Sequence, residues 1–209
     1  MNQNIITRSY CDSDEKALAD IIRKTWHYDD FGSPEAASRM AAVFLYSCLT
    51  SQTYTQVAEL NGQPVGVIMA QNIQKHRCPF KYRLKLIQSI LSLCRSKEGR
   101  TIIRTFKNIS QIDRELLKNS GKDYPGEVSF FAVHDDCRGL GVGKLLFQNM
   151  LTYMKQEQIQ DFYLFTDTTC NFGFYEHQGM KRRQEKKAAF SINGLNYNII
   201  FFLYDYCNQ

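Results

Sequence analysis

Val128-Ser129-Phe130-Phe131-Ala132-Val133 is a short run of β-branched and aromatic residues. The polar joint His134-Asp135-Asp136-Cys137 follows, and then Arg138-Gly139-Leu140-Gly141-Val142-Gly143-Lys144. From Val142 onward the apolar residues Val142, Leu145, Leu146, Met150, Tyr153 and Met154 recur at the i, i+3, i+4 spacing of one helical face. The stretch therefore predicts strand, turn and helix, with the helix opening at the glycines. Glycines at alternate positions leave backbone N–H groups uncovered, where a helix also leaves its first four N–H groups without partners. Such a place binds phosphate.

The spacing excludes two familiar phosphate loops. A Walker loop needs four residues between its first Gly and Gly-Lys-Ser/Thr, whereas three separate Gly139 from Gly143 and Leu145 follows Lys144. The dinucleotide fingerprint G-x-G-x-x-G fails because its third glycine comes one residue early. What Arg138, Gly141 and Gly143 satisfy is R/Q-x-x-G-x-G/A.

That pattern, after a strand and opening a helix, resembles the acyl-coenzyme A loop of the GNAT superfamily of N-acetyltransferases. Asn171-Phe172-Gly173-Phe174-Tyr175-Glu176-His177-Gln178-Gly179-Met180 is similar to the family's second signature, a Tyr on a short helix that a Gly ends. The resemblance spans the chain except roughly residues 74–123. It implies an α/β fold of the GNAT type: a mixed sheet with helices on both faces, whose two central parallel strands part to admit a pantetheine arm. It also implies acetyl-CoA as acyl donor and an amine acceptor; no metal is expected, because the cysteines show no C-x-x-C and no His at zinc spacing. Carried over residue by residue, coenzyme contacts fall on Phe131, Ala132 and Val133, on Arg138, Gly139, Leu140, Gly141, Val142, Gly143 and Lys144, and on Asn171, which precedes Tyr175 by four residues where many members have seven.

Two residues are candidates for the chemistry. Glu127 lies eleven residues before Arg138, the interval that separates the general base from the loop in the histone-modifying branch of the family; the alternative is a solvated carboxylate at a strand start. Tyr175 would donate to the departing sulfur, since a phenol with a pKa near ~10 holds its proton at neutral pH; the alternative is a core tyrosine. Cys137, His134 and His177 lie near the signatures, without a Cys-His constellation.

Length and composition bound the rest. A chain of 209 residues with 44% hydrophobic content can bury one sizeable core, so one domain over 1–209 with a helical insertion at about 74–123 is expected. The apolar runs fall far short of the ~20 residues of a membrane span. Acids at Asp12, Asp14 and Glu15 occupy the place of a signal-peptide core, which predicts a cytoplasmic protein. Seven cysteines without C-x-x-C predict free thiols.

Charge is uneven: residues 72–122 hold 13 Lys/Arg against 3 Asp/Glu, a net of +10 in a chain whose total is +5, which leaves −5 for the rest. This basic segment could approach an anionic acceptor, a nucleic acid or the coenzyme phosphates, or be a solvated face. It is expected to shape acceptor access rather than the fold, with apolar stripes Leu84, Ile87, Ile90, Leu91, Cys94 and Ile102, Ile103, Phe106, Ile109, Leu116, Leu117.

Elsewhere Asn4–Tyr10 reads as a strand, Asp12-x-x-Glu15 as a capping box, and Ser33-Pro34-Glu35 as a helix start. Trp26 to Phe31 reads as a link that borders the acceptor pocket in the family, or as a surface loop. Asn61-Gly62 and Asn193-Gly194 mark hairpins. The reading is an N-acetyltransferase acting on a primary amine of a small molecule, with a homodimer left open. The competing readings are an acetyltransferase that engages protein or nucleic acid through the basic segment, nucleic acid being disfavoured, and a coenzyme-binding sensor without turnover.

Overall fold

The computed structural model describes residues 5–76, 78–192 and 195–207. Seven strands form one sheet: β1 (Ile5–Ser9), β2 (Tyr54–Leu60), β3 (Gln63–Asn72), β4 (Gly126–Val133), β5 (Asp161–Asp167), β6 (Lys181–Ile192) and β7 (Leu195–Cys207), in the order β1-β2-β3-β4-β5-β7-β6. Only β4 and β5 run parallel, and every other neighbouring pair is antiparallel. This is the mixed sheet the resemblance implies. Asn61 and Gly62 both take positive φ, 52° and 78°, as the tight turn between β2 and β3 requires. Asn193-Gly194 lies outside the described residues, although β6 and β7 pair on either side of it.

Helices cover both faces. α1 (Glu15–Thr25) and α2 (Pro34–Ser51) pack on one, sharing a core with Val67, Met69, Phe130 and Ala132. α5 (Val142–Gln156) packs on the other, burying Val142, Leu146, Phe147 and Met150 against Ala58, Ile68, Ala70 and Leu164. α2 starts as expected, with Ser33 capping the Ala36 N–H and Pro34 in the first turn. At α1 the capping box is displaced by one residue. The Asp14 carboxylate accepts from the Cys11 N–H, and its depressed pKa reflects the Arg8 guanidinium and Cys11 donors acting against burial.

Segment 74–123 contributes α3 (Phe80–Cys94) and α4 (Lys97–Asn119). The structure sharpens one sequence reading of it and corrects another. First, the α3 stripe Leu84, Ile87, Ile90, Leu91 and Cys94 is divided: Leu84, Ile87 and Leu91 are exposed, while Ile90 packs with Tyr82 and Leu86 beside buried Leu93. The helix carries two apolar stripes, and periodicity does not say which one meets the sheet. Second, α4 belongs to the fold. Its first half packs Ile102, Ile103 and Phe106 into the α1–α2 core, and its second half packs Ile112 and Leu116 against Tyr163, Phe201 and Leu203. The helix thus straddles the sheet between β4 and β5, and replacing it with a turn would expose both cores.

Part of the charge asymmetry is met within the molecule. Lys81 pairs with Asp12 and Lys85 with Glu15, so the two acids expected to cap α1 dock α3 instead. At the segment's two ends Lys75 meets Glu157 at 2.8 Å and Lys122 meets Asp205 at 3.2 Å. Asp205 is buried and also takes Arg183 at 2.7 Å and the Tyr124 hydroxyl at 3.1 Å. The Arg183 and Lys122 donors outweigh burial and hold its pKa below the ordinary carboxylate range.

Asp205→Asn should therefore destabilise the protein by roughly 1–3 kcal/mol at neutral pH, the scale of hydrogen bonds to a charged group. Because the folded-state pKa is depressed, this contribution is present above the unfolded-state value near ~3.9 and disappears as pH falls through the folded value. Denaturant titrations of both proteins at pH 7 and at the lowest pH that keeps them folded should show the gap closing; a gap that widens on acidification would refute the assignment.

Candidate active site

β4 and β5 pair over only two residues, Gly126 with Phe162 and Glu127 with Tyr163. Beyond them each strand continues for several residues with no partner on the facing edge. The cause is local. Opposite β3, Phe130 pairs with Met69 and Val128 with Ala70, so Ser129 is an extra residue that twists β4 away. The bulge also resets which face each side chain occupies. Val128 enters the α5-side core, whereas Phe130 and Ala132 enter the α1–α2 side. Phe131 and Val133 turn toward α5, and Phe131 meets the Phe174 ring at 5.4 Å.

The opening is a cavity of about 800 Å³ walled by β4, β5, α2, α4 and α6 (Gly173–His177). The glycine loop closes one end of it. Gly139 and Gly141 take φ of 81° and 83°, a left-handed conformation that strains any other residue. The first bond of α5 runs from the Leu145 N–H to the Gly141 carbonyl at 3.0 Å, so the N–H groups of Val142, Gly143 and Lys144 precede the helical ladder. Gly143 lies against Phe131 and Phe174, where a Cβ would make ordinary contacts of 3.5 and 3.6 Å.

Most sequence candidates meet here. Phe131, Ala132, Val133, Arg138, Gly139, Gly141, Gly143, Lys144, Asn171, Glu127 and Tyr175 all line the cavity. Two of the set do not. The Val142 side chain is buried in the α5 core, so only its backbone can serve, and the Leu140 side chain is exposed with its N–H turned to the Cys137 carbonyl at 3.4 Å. Arg138 pairs with Asp135 at 2.7 Å. Trp26 reaches the cavity wall and packs on Phe44 and Phe130, so the link after α1 borders the site rather than standing apart.

Glu127 and Tyr175, the two candidates for the chemistry, both have raised pKa values. Burial pushes the Glu127 carboxyl up, and hydrogen bonds from Gln71 and Tyr163 partly offset it, which makes the carboxylate a stronger base than one in water. Tyr175 packs its ring on Phe131, Phe174 and Tyr204. Burial, with Cys170 and Asp167 nearby, raises its pKa, and its hydroxyl makes no hydrogen bond among the described residues. The neighbouring candidates serve structure: His134 accepts the Asp136 N–H, His177 sits 2.6 Å from the Gly173 carbonyl, and burial raises the Cys137 thiol pKa. All seven cysteines are free, and no metal-binding cluster exists among the described residues. Nor is any described helix long and apolar enough to cross a membrane.

Sequence reasoning missed Asp113. It projects from α4 into the cavity, the third acid of the basic segment; the other two are occupied, Glu98 on the Ser33 N–H and Glu115 on Lys186. Burial first, then the charges of Glu127 and Asp167, push its pKa up to about 7. A signal was available: Ile102, Phe106, Ile109, Asp113 and Leu116 continue one helical stripe, with an acid at an apolar position.

Comparison with known proteins agrees with this geometry. The model of the acetyltransferase (GNAT) family matches residues 18–180. Among solved structures, a GCN5-related N-acetyltransferase from Rhodopseudomonas palustris aligns over 99% of this chain and 98% of its own, at 16% identity and a TM-score of 0.56. The structure of smu.2055 from Streptococcus mutans UA159 aligns over 98% and 99%, at 15% and 0.58. An N-acetyltransferase from Staphylococcus aureus Mu50 aligns over 99% of both chains, at 14% and 0.53. These likenesses speak to the fold. A search of curated proteins gave no match.

Asp113 also provides a test of the cavity's electrostatics. A folded-state pKa near 7, against an ordinary 3.8, means that the folded protein binds the extra proton, so stability falls as pH rises through that window. Asp113→Asn removes this loss. Its melting temperature should exceed the parent's by an amount that grows from pH 4 to pH 7; a constant difference would place Asp113 in water.

Proposed function

The chain belongs to the GNAT family of acetyltransferases and is an acyl-CoA-dependent N-acetyltransferase, and from that premise we propose direct transfer of the acetyl group of acetyl-CoA to the primary amine of a small molecule. The observation that carries the reading is one continuous cavity with the glycine loop, the unpaired β4 edge, a half-buried carboxylate and a half-buried phenol on its wall. In this reading the N–H groups of Val142, Gly143 and Lys144 take the pyrophosphate, helped by the positive end of α5 and by Lys144. The free edge of Phe131 to Val133 offers N–H and C=O groups to the pantetheine amides, extending the sheet by a strand that is not protein.

The chemistry follows from where protons must go. An ammonium does not attack a thioester, so Glu127 removes one proton, directly or through water, and its raised basicity suits that task. The amine nitrogen then adds to the carbonyl carbon, and the C–S bond breaks as the tetrahedral adduct collapses. Tyr175 donates its hydrogen bond and then its proton to the leaving sulfur, and regains a proton from the nitrogen that has become an amide. Holding donor and acceptor in one cavity supplies the entropic part of the rate.

The two competing readings lose support. Lys75, Lys81, Lys85 and Lys122 are paired with acids of the surrounding fold, which takes four of the segment's 13 basic side chains out of a patch for an anionic partner. A base and an acid on the wall of one cavity argue for turnover rather than sensing.

Two variants test this reading. Tyr175→Phe keeps the ring packing and removes the donor: turnover should drop by roughly 10² or more with acetyl-CoA affinity and melting temperature little changed. Equal losses in affinity and stability would make Tyr175 structural. Gly141→Val forces a β-branched residue to positive φ, at roughly 1–2 kcal/mol or more of strain, although nothing in the protein lies within 4 Å of its Cβ. Acetyl-CoA affinity measured by calorimetry should fall about tenfold or more, the equivalent of ~1.4 kcal/mol; unchanged affinity in a folded variant would remove the loop from the coenzyme site.

A further inference from the structure

The charged side chains on the cavity wall are Asp113, Glu127, Arg138, Lys144 and Asp167. Each but Asp113 has an evident use. Arg138 is paired with Asp135, and Lys144 stands in the first turn of α5 beside the free N–H groups. Asp167 accepts from the Thr169 N–H at 2.7 Å and thereby shapes the turn after β5. Glu127 accepts from Gln71 and Tyr163. Asp113 accepts no hydrogen bond and forms no ion pair among the described residues, although its helix carries several Lys and Arg.

A carboxylate so placed either holds a proton or meets a cation that the protein does not provide, and a cationic ligand favours the ionised form. The reacting nitrogen cannot be that cation throughout, because it must lose its charge to Glu127 before it attacks. The Asp113 counter-ion has to be a group that stays positive through the reaction. The bulge at Ser129 sets the two carboxylates on the same face: Glu127 alternates with Val128, so it shares the α4 side with Phe130 and Tyr163. The Tyr175 hydroxyl faces the same cavity without a partner among the described residues, a second polar group left open to a ligand.

We propose that Asp113 is a specificity-determining residue that binds a second, permanently positive group of the acceptor, so that the preferred acceptor is a dicationic amine. This rests on the acetyl-transfer reading above and names its substrate class. One end of such a molecule presents its amine to Glu127, and the other neutralises Asp113. An acceptor with a neutral tail leaves Asp113 desolvated and unpaired, and one with an anionic tail adds repulsion, which is how a buried polar group rejects the wrong ligand.

The probes 1,4-diaminobutane, n-butylamine and 4-aminobutanoate share a four-carbon chain and end in a positive, neutral or negative group. The parent enzyme should prefer them in that order by kcat/KM, with roughly tenfold or more between the first two, a step of the size one lost charged contact gives. Asp113→Asn should erase the preference for the diamine and relieve the penalty on 4-aminobutanoate, with acetyl-CoA affinity unchanged as evidence of an intact fold. Calorimetric binding of the three amines to the enzyme–coenzyme A complex should show the same order without turnover. Equal treatment of diamine and n-butylamine by the parent, or a preference that survives Asp113→Asn, overturns the proposal. Asp113-dependent diamine binding with no acetylation supports it and instead removes the catalytic roles given to Glu127 and Tyr175.

Discussion

The two-residue ladder between β4 and β5 is the constraint on which the rest depends. A sheet tolerates an open seam in its interior only if something else holds its halves and something polar can meet the exposed N–H and C=O groups. Both conditions are visible. α5 spans the seam on one face, tied to β2, β3 and β5 through its buried stripe. α4 spans it on the other, anchored in two separate cores. One extra residue, Ser129, opens the seam and also decides that Glu127 and Phe131 face opposite sides, so the two walls of the cavity that carry them follow from one local irregularity.

Charge is arranged at two scales. On the outside, four lysines of residues 72–122 meet acids of the remaining chain, so a segment that looks strongly basic in isolation also works as a docking element. Exposed pairs of this kind add little each, generally 1 kcal/mol or less; the buried Asp205 with its three donors is the stronger anchor. In the cavity, where burial reduces solvation, single carboxylates stand out, and Glu127 and Asp113 both have raised affinities for protons. The same segment therefore supplies the clamp outside and an acid within.

The fold was legible because its signals are local. The glycines at 139, 141 and 143, the apolar stripe from Val142 to Met154, the Asn61-Gly62 turn and the Ser33-Pro34 start each act within a few residues, and the structure follows them. The candidate site was legible where the family pattern reaches, from Glu127 to Lys144 and from Asn171 to Tyr175. What escaped depends on contacts distant in sequence. The α3 stripe offered two apolar faces, and only the position of the sheet selects Leu86 and Leu93 over Leu84 and Leu91. The acids Asp12 and Glu15 fit a capping pattern but find lysines about seventy residues away. Asp113 could have been noticed as an acid on an apolar stripe, yet its meaning required knowing that α4 crosses the open seam.

The seam gives any occupant a mechanical role as well as a chemical one. β1 to β4 form one half-sheet and β5 to β7 the other, joined edge to edge by two residue pairs. A molecule laid along the free edges becomes a tie-beam between them, and its hydrogen bonds carry load that a continuous sheet would carry through its own backbone. Whatever fills the gap first completes the framework against which a second, smaller molecule can be held.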